Sequence, residues 1–312
     1  MTIMKPARDG YGEALLILGE SNPDVVVLDA DVAKSTRTDW FMAKYPDRFI
    51  DMGISEQDML GTASGLSLMG KIPFVSTYGV FLSGRGWDQI RTTICYSNLN
   101  VKLGGAHAGI SVGPDGATHQ ALEEVALMRV LPNMTVIVPC DAIETRKATL
   151  AAAGMQGPCY LRFGREAIPV VTTEDAPFEI GKGILHRAGE DVTVIANGPM
   201  VHEALLAADA LHSEGIDVRV INLHTVKPID KEIVINAAVE TGAIVTAEEH
   251  QLAGGMGSAV AEIVVAHCPV PMELVGINDS FGESGPPEEL MKKYGLTCKD
   301  IIKAVKKVLE RK

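Results

Sequence analysis

Short apolar runs alternate with amphipathic segments along the chain. The runs PDVVVLDADV (23–32), PDRFIDMG (46–53), KIPFVSTYG (71–79), NVKLGGAHAG (100–109), MTVIVPCD (134–141) and GPCYLRFG (157–164) have the length and β-branched content of buried strands. Between them lie segments of helical spacing: 10–20, 53–70, 87–98, 121–132 and 142–155. Strands that alternate with helices predict an α/β fold with a parallel sheet covered on both faces. The stretch 169–188 breaks this rhythm with Pro, Thr and acids and reads as a linker. The alternation then restarts, with strands expected at 191–198, 217–223, 243–250 and 271–277 and two helices at the C-terminus. The expected architecture is two parallel-sheet-based α/β domains, 1–168 and 189–312.

In such sheets ligands sit beyond the C-terminal strand ends, so the polar residues there carry most interest. Asp29 and Asp31 follow the first strand, Tyr78 and Phe81 the third, and His107 to His119 the next.

The segment GISEQDMLGTASGLSLMG (53–70) poses the sharpest question. Its glycines, alanine and leucines predict a helix packed closely by other backbone, yet Glu56 stands at its head. Ser55 and Asp58 have the spacing of a capping box, and first-turn acids suit the helix dipole. On that reading Glu56 is a solvated first-turn acid. On the other, it enters apolar surroundings, is desolvated, and becomes the protonatable carboxyl that general acid–base chemistry needs.

The loop GAHAGISVGPDGATHQ (105–120) combines glycines, Pro114, Asp115, His107 and His119. A long loop without its own regular structure is usually functional, and histidine can move protons or hold a phosphate near neutral pH. The two histidines fit no metal-ligand spacing. Tyr78 and Phe81 in STYGVF could cover a flat ring, or pack into the core. The glycines of GGMGSAV (254–260) do not form a dinucleotide fingerprint and read as tight strand–helix packing. No Walker loop, nucleophile elbow or H-E-x-x-H motif occurs.

Composition narrows the class. With 46% hydrophobic and 22% charged residues, a chain of 312 can bury two cores. A net charge of −12 argues against a nucleic-acid partner. Five scattered cysteines without a CxxC pair suggest reduced thiols. The N-terminus MTIMKPARDG has no apolar signal region and no run is long enough to span a membrane, so a cytoplasmic location is expected.

Taken in order, D-A-D (29–31), GISEQDM, STYGVF…WDQIR, AHAGISVGPDGATHQALEEVALMRVLPNM, VIVPCDAIE, VRVINLHTVKPID and TAEEHQLAGGMGSAV resemble the C-terminal part of transketolase. That part comprises its pyrimidine-binding domain followed by its C-terminal domain. The resemblance covers roughly residues 5–310 and implies thiamine diphosphate as cofactor. Glu56 matches the acid that hydrogen-bonds N1′ of the aminopyrimidine and shares the proton that activates the cofactor. Tyr78 and Phe81 match the aromatic pocket around that ring; most relatives carry Phe where this chain has Tyr78, and Gly84 replaces a residue that is aromatic in some transketolases. His119 matches a proton relay near the reacting centre, and Asp115 an aspartate that contacts a substrate hydroxyl. Arg8, Ser35, His107 and Arg165 match sugar-phosphate contacts, and Asp31 an acid near the cofactor and subunit interface.

A complete transketolase also carries a diphosphate-binding domain whose G-D-G motif and following asparagine hold Mg²⁺. This chain has no G-D-G. The resemblance therefore implies the C-terminal subunit of a split transketolase. Its Mg²⁺ ligands would lie on an N-terminal partner subunit, its substrates would be sugar phosphates, and its assembly would be α₂β₂. Two relatives share much of the pattern: the β subunit of 2-oxoacid dehydrogenases and deoxyxylulose-phosphate synthase. A non-catalytic regulatory subunit is the reading from a different class.

Overall fold

The computed structural model describes residues 3–312. Its strands are β1 (Met4–Pro6), β2 (Val25–Asp29), β3 (Phe49–Asp51), β4 (Ile72–Tyr78), β5 (Lys102–Ala106), β6 (Thr135–Ile137), β7 (Cys159–Arg162), β8 (Ala167–Pro169), β9 (Ile184–Arg187), β10 (Val192–Ala196), β11 (Val218–Asn222), β12 (Thr225–Lys227), β13 (Ile244–Gln251) and β14 (Met272–Ile277). The first large sheet has the order β12-β6-β7-β5-β4-β2-β3 and the second β14-β13-β10-β11-β9. Both are parallel except at one edge, where β12 and β9 run antiparallel to their neighbours. Every residue of β2, β5, β7 and β10 is buried, as continuous apolar runs in a doubly covered sheet require.

Three features depart from the expected layout. Ile184–Arg187, inside the stretch read as a linker, is strand β9 and pairs with β11. Thr225–Lys227, from the second half of the chain, is β12 and closes the edge of the first sheet against β6. The short β1 and β8 pair antiparallel and tie residue 4 to residue 169. The two halves thus exchange an element rather than meeting only through a linker.

The helix Glu56–Leu68 also differs from the sequence reading. Its buried face consists of Glu56, Met59, Leu60, Ala63 and Ser64. Gly61 and Gly65 lie on an open face, with nothing within 4 Å of where a Cβ would stand. The small residues do not accommodate other parts of this chain. No capping box forms at the N-terminus: the Ser55 hydroxyl donates instead to the Met52 carbonyl at 2.7 Å. The segment 87–98, expected as one α-helix, becomes a short turn followed by a π-helix over Ile90–Cys95. All five cysteines are free. Among the described residues no helix is long and apolar enough to cross a membrane.

Candidate active site

The site forms where β2, β4 and β5 end. Backbone geometry there is unusual. Asp31, just past β2, has φ +62°, and His107, just past β5, has φ +54°. Non-glycine residues hold this left-handed conformation at a cost of about 1–3 kcal/mol, and such strain collects at functional sites.

Of the D-A-D acids, the buried one is Asp29. It accepts from the Val32 amide at 2.6 Å and from the hydroxyls of Thr36 and Thr38 at 2.8 Å each, and burial pushes its pKa up to about 6. It shapes the turn that carries Ser35. Asp31 is exposed; its amide donates to Asp51 at 3.2 Å and its carboxylate projects outward.

Four rings gather at the strand ends. Tyr78 stacks on His107 at 4.2 Å between centroids and lies 5.9 Å from Phe81. His119 meets Phe81 edge-on at 5.2 Å and Tyr78 at 5.9 Å. The Tyr78 hydroxyl donates to Ser35 Oγ at 3.1 Å, and Arg8 donates to the Ser35 carbonyl at 3.1 Å. Arg165 reaches Asp115 at 3.3 Å. Arg8, Ser35, Tyr78, Phe81, His107, Asp115, His119 and Arg165 therefore line one continuous region.

Three arginines, Arg8, Arg37 and Arg165, meet in that region, with Arg37 paired to Asp9 and Arg165 to Asp115 and Glu166. Burial first, then repulsion from Arg37, lowers the Arg8 pKa. His107, 2% exposed, is pushed down to about 3 by burial and then by Arg8 and Arg165. Its imidazole is neutral at physiological pH. Its buried Nδ1 and Arg8 Nε have no partner within the chain, and such groups in a native fold call for one. An anionic group would supply an acceptor for Arg8 Nε.

Glu56 is 4% exposed at the helix head. Arg85 Nη1 approaches its two carboxylate oxygens at 3.2 and 3.4 Å, and the same guanidinium lies 4.3 Å from the centre of the Phe81 ring. Phe81 and Arg85 thus link Glu56 to the aromatic cluster. Ile54–Asp58 and Arg85 border an open cleft of about 510 Å³. The Arg85 guanidinium fills the space between Glu56 and Phe81, and beside it nothing lies within 4 Å of where a Gly84 Cβ would stand. Among the described residues no group of three or more His, Cys, Asp or Glu is placed to hold a metal ion.

Sequence reasoning did not single out Arg85 or Arg37. Arg85 follows Gly84 and becomes visible only when its helix folds beside Glu56. Arg37 is bound to Asp9 at 2.7 Å and acts on the site through its nearness to Arg8 and His107.

Comparison with known proteins identifies the family. Residues 4–170 match the model of the transketolase pyrimidine-binding domain, and residues 181–301 that of the transketolase C-terminal domain. A putative transketolase C-terminal section from Methanocaldococcus jannaschii is 43% identical over 99% of this chain and 98% of its own length. A 6-deoxy-6-sulfo-D-fructose transketolase subunit from Clostridium sp. is also 43% identical, over 98% of this chain and 95% of its own. A solved structure described as a split gene transketolase, inactive beta4 tetramer, superposes with a TM-score of 0.93 at 51% identity, covering 98% of this chain and 99% of that one. The chain belongs to the transketolase family, as a C-terminal subunit of the split type.

Proposed function

We propose that this chain supplies the pyrimidine-binding half of a two-chain, thiamine-diphosphate-dependent transketolase. The complex would move a two-carbon ketol unit from a ketose phosphate to an aldose phosphate. The single observation that carries this reading is a buried carboxylate, Glu56, joined through Arg85 to a cluster of rings, Phe81, Tyr78, His107 and His119, at the strand ends.

When bound, the cofactor supplies a carbon nucleophile. The residues of this chain do the rest. Glu56, as the carboxylic acid, would donate its hydrogen bond to the ring nitrogen and share that proton with it. Phe81 and Tyr78 flank the ring. His119, half-buried against both aromatics, is placed to relay a proton at the reacting centre. Neutral His107 donates or accepts one hydrogen bond without adding charge, while Arg8 and Arg165 bind the anionic end of the sugar. Asp115, held by Arg165, faces a substrate hydroxyl.

The diphosphate and Mg²⁺ would be held by an N-terminal partner subunit. The beta-only tetramer described as inactive supports that division of labour. The open face at Gly61 and Gly65 is where another subunit would seat, giving an α₂β₂ assembly. A related subunit is named for a sulfonated ketose, so a sulfonate is a second candidate for the anion that the arginines hold.

The test is Glu56→Gln in the complex recovered with its partner, assayed with xylulose 5-phosphate and ribose 5-phosphate and in parallel with 6-deoxy-6-sulfofructose as donor. We expect turnover to fall by at least about a thousandfold, roughly 4 kcal/mol of barrier, with assembly intact. Retained turnover would remove Glu56 from the chemistry and the reading with it.

A further inference from the structure

The loop Gly109–Gln120 carries Asp115 and His119, but the first domain does not hold it alone. Its outward residues are Pro114, Asp115, Ala117 and Thr118, while Val112, Gly113, Gly116 and Gln120 are buried. The buried positions face the second domain.

At the start of the loop, the Ser111 amide donates to Glu249 Oε1 at 2.7 Å. Glu249 lies in the buried part of β13 and so close to Gly109 that any Cβ there would collide with its carboxylate; Gly109 also has φ +89°. Glu249 is itself fixed, because Arg162 donates to its backbone carbonyl at 2.6 Å.

At the end of the loop, Gln120 is 3% exposed and uses one amide nitrogen twice. Nε2 donates to the Ile110 carbonyl at 3.0 Å and to the Glu283 carbonyl at 2.9 Å. The first bond closes the loop on itself. The second fastens it to the segment 281–287, which leads into the last two helices of the second domain. Ser284 and Pro287 of that segment sit against Gly116 and Gly113. Two grips from one domain thus bracket the two side chains of the other that face the sugar.

We propose that the second domain is a positioning element of the sugar site: Glu249, through Ser111, and Glu283, through Gln120, clamp the two ends of the loop Gly109–Gln120 and thereby set Asp115 and His119. This rests on the transketolase reading above. It gives the C-terminal domain a task that its distance from Glu56 does not suggest. Both clamps act through other residues, so neither is catalytic.

The test has two arms. In the full chain, Gln120→Met keeps the volume and deletes both donors. Hydrogen exchange of the amides from 109 to 121 should accelerate about tenfold, while the helix Glu56–Leu68 keeps its protection. In the complex with its partner, the same variant should raise KM for the ketose phosphate about tenfold and leave thiamine diphosphate affinity within twofold. Glu249→Gln, which still accepts from Ser111, should stay near wild type in both arms, whereas Glu249→Leu should follow Gln120→Met. If Gln120→Met does not fold, Gln120→Asn, whose shorter amide reaches only one of the two carbonyls, replaces it. Unchanged exchange across the loop, or a loosened loop with an unchanged KM, would overturn the proposal. If even the wild-type complex transfers no ketol unit, the functional reading fails instead, and the exchange arm alone decides the clamp.

Discussion

At the scale of single residues, the site is built from strain, burial and unmatched polarity. His107 joins all three. Its φ is +54°, it is 2% exposed, and its Nδ1 has no partner. Its pKa near 3 has a measurable consequence. Between about pH 3 and 6.5 the unfolded chain binds a proton at this histidine that the folded chain does not. Stability therefore falls as pH falls through that window, by up to about 1.4 kcal/mol per pH unit. His107→Asn removes this dependence, and asparagine tolerates the backbone conformation. Urea unfolding at pH 6.5 and 4.5 should show the variant gaining on wild type by up to about 2 kcal/mol at the lower pH. Asp29, pushed up to about 6, acts in the opposite sense in both proteins and cancels in the difference. Parallel pH curves would show that His107 is hydrated in solution.

The candidate residues were legible in the sequence because loops at strand ends concentrate chemistry. Their partners were not. Neither the Glu56–Arg85 pairing nor the stacking of Tyr78 on His107 has a local signal, since each joins residues 29 positions apart. Ser55 misled for the opposite reason. A hydroxyl at a helix N-terminus has several nearby acceptors, and here a carbonyl three residues back wins.

At the scale of elements, alternating hydrophobic runs gave most of the strands and helices, because a doubly covered parallel sheet writes itself as continuous apolar runs. Edge strands escaped. β9 and the β1–β8 pair are three or four residues long and only partly buried, and β12, though largely buried, has only three residues, too few to show a period. The same packing yields a prediction. The helices Ala7–Ser21 and Ala142–Gly154 approach so closely at Gly10 that a Cβ there would strike the Ala142 carbonyl. In an open helix Gly→Ala would stabilise by about 0.5–1 kcal/mol. Here Gly10→Ala should destabilise by about 1–3 kcal/mol, as overpacking does. A raised melting temperature would mean that the two helices can separate without cost.

At the scale of the whole molecule, a chain of net charge −12 gathers Arg8, Arg37 and Arg165 at one end of its first sheet, and among the described residues Arg8 makes no ion pair there. An anion is drawn to that end against the overall charge, and salt should weaken its binding. On the opposite account is an apolar surface with no use inside one chain. Ile54 is 75% exposed, Leu68 73% and Met69 82%, around the open glycine face of the helix that Glu56 begins. Gly65→Arg places a charge on that face without touching the core. By light scattering it should give folded but smaller assemblies; an unchanged mass would place the subunit contact elsewhere.

The division of one active site between two chains is the central claim, and recombination tests it most directly. A complex isolated from the native cells through a tag on this chain should transfer a ketol unit when supplied with thiamine diphosphate, Mg²⁺, xylulose 5-phosphate and ribose 5-phosphate, while the purified chain alone should not. Equal activity in the chain alone would contradict the split site. An intact complex containing a diphosphate-binding partner but inactive on phosphorylated and sulfonated ketoses alike would contradict the ketol-transfer assignment.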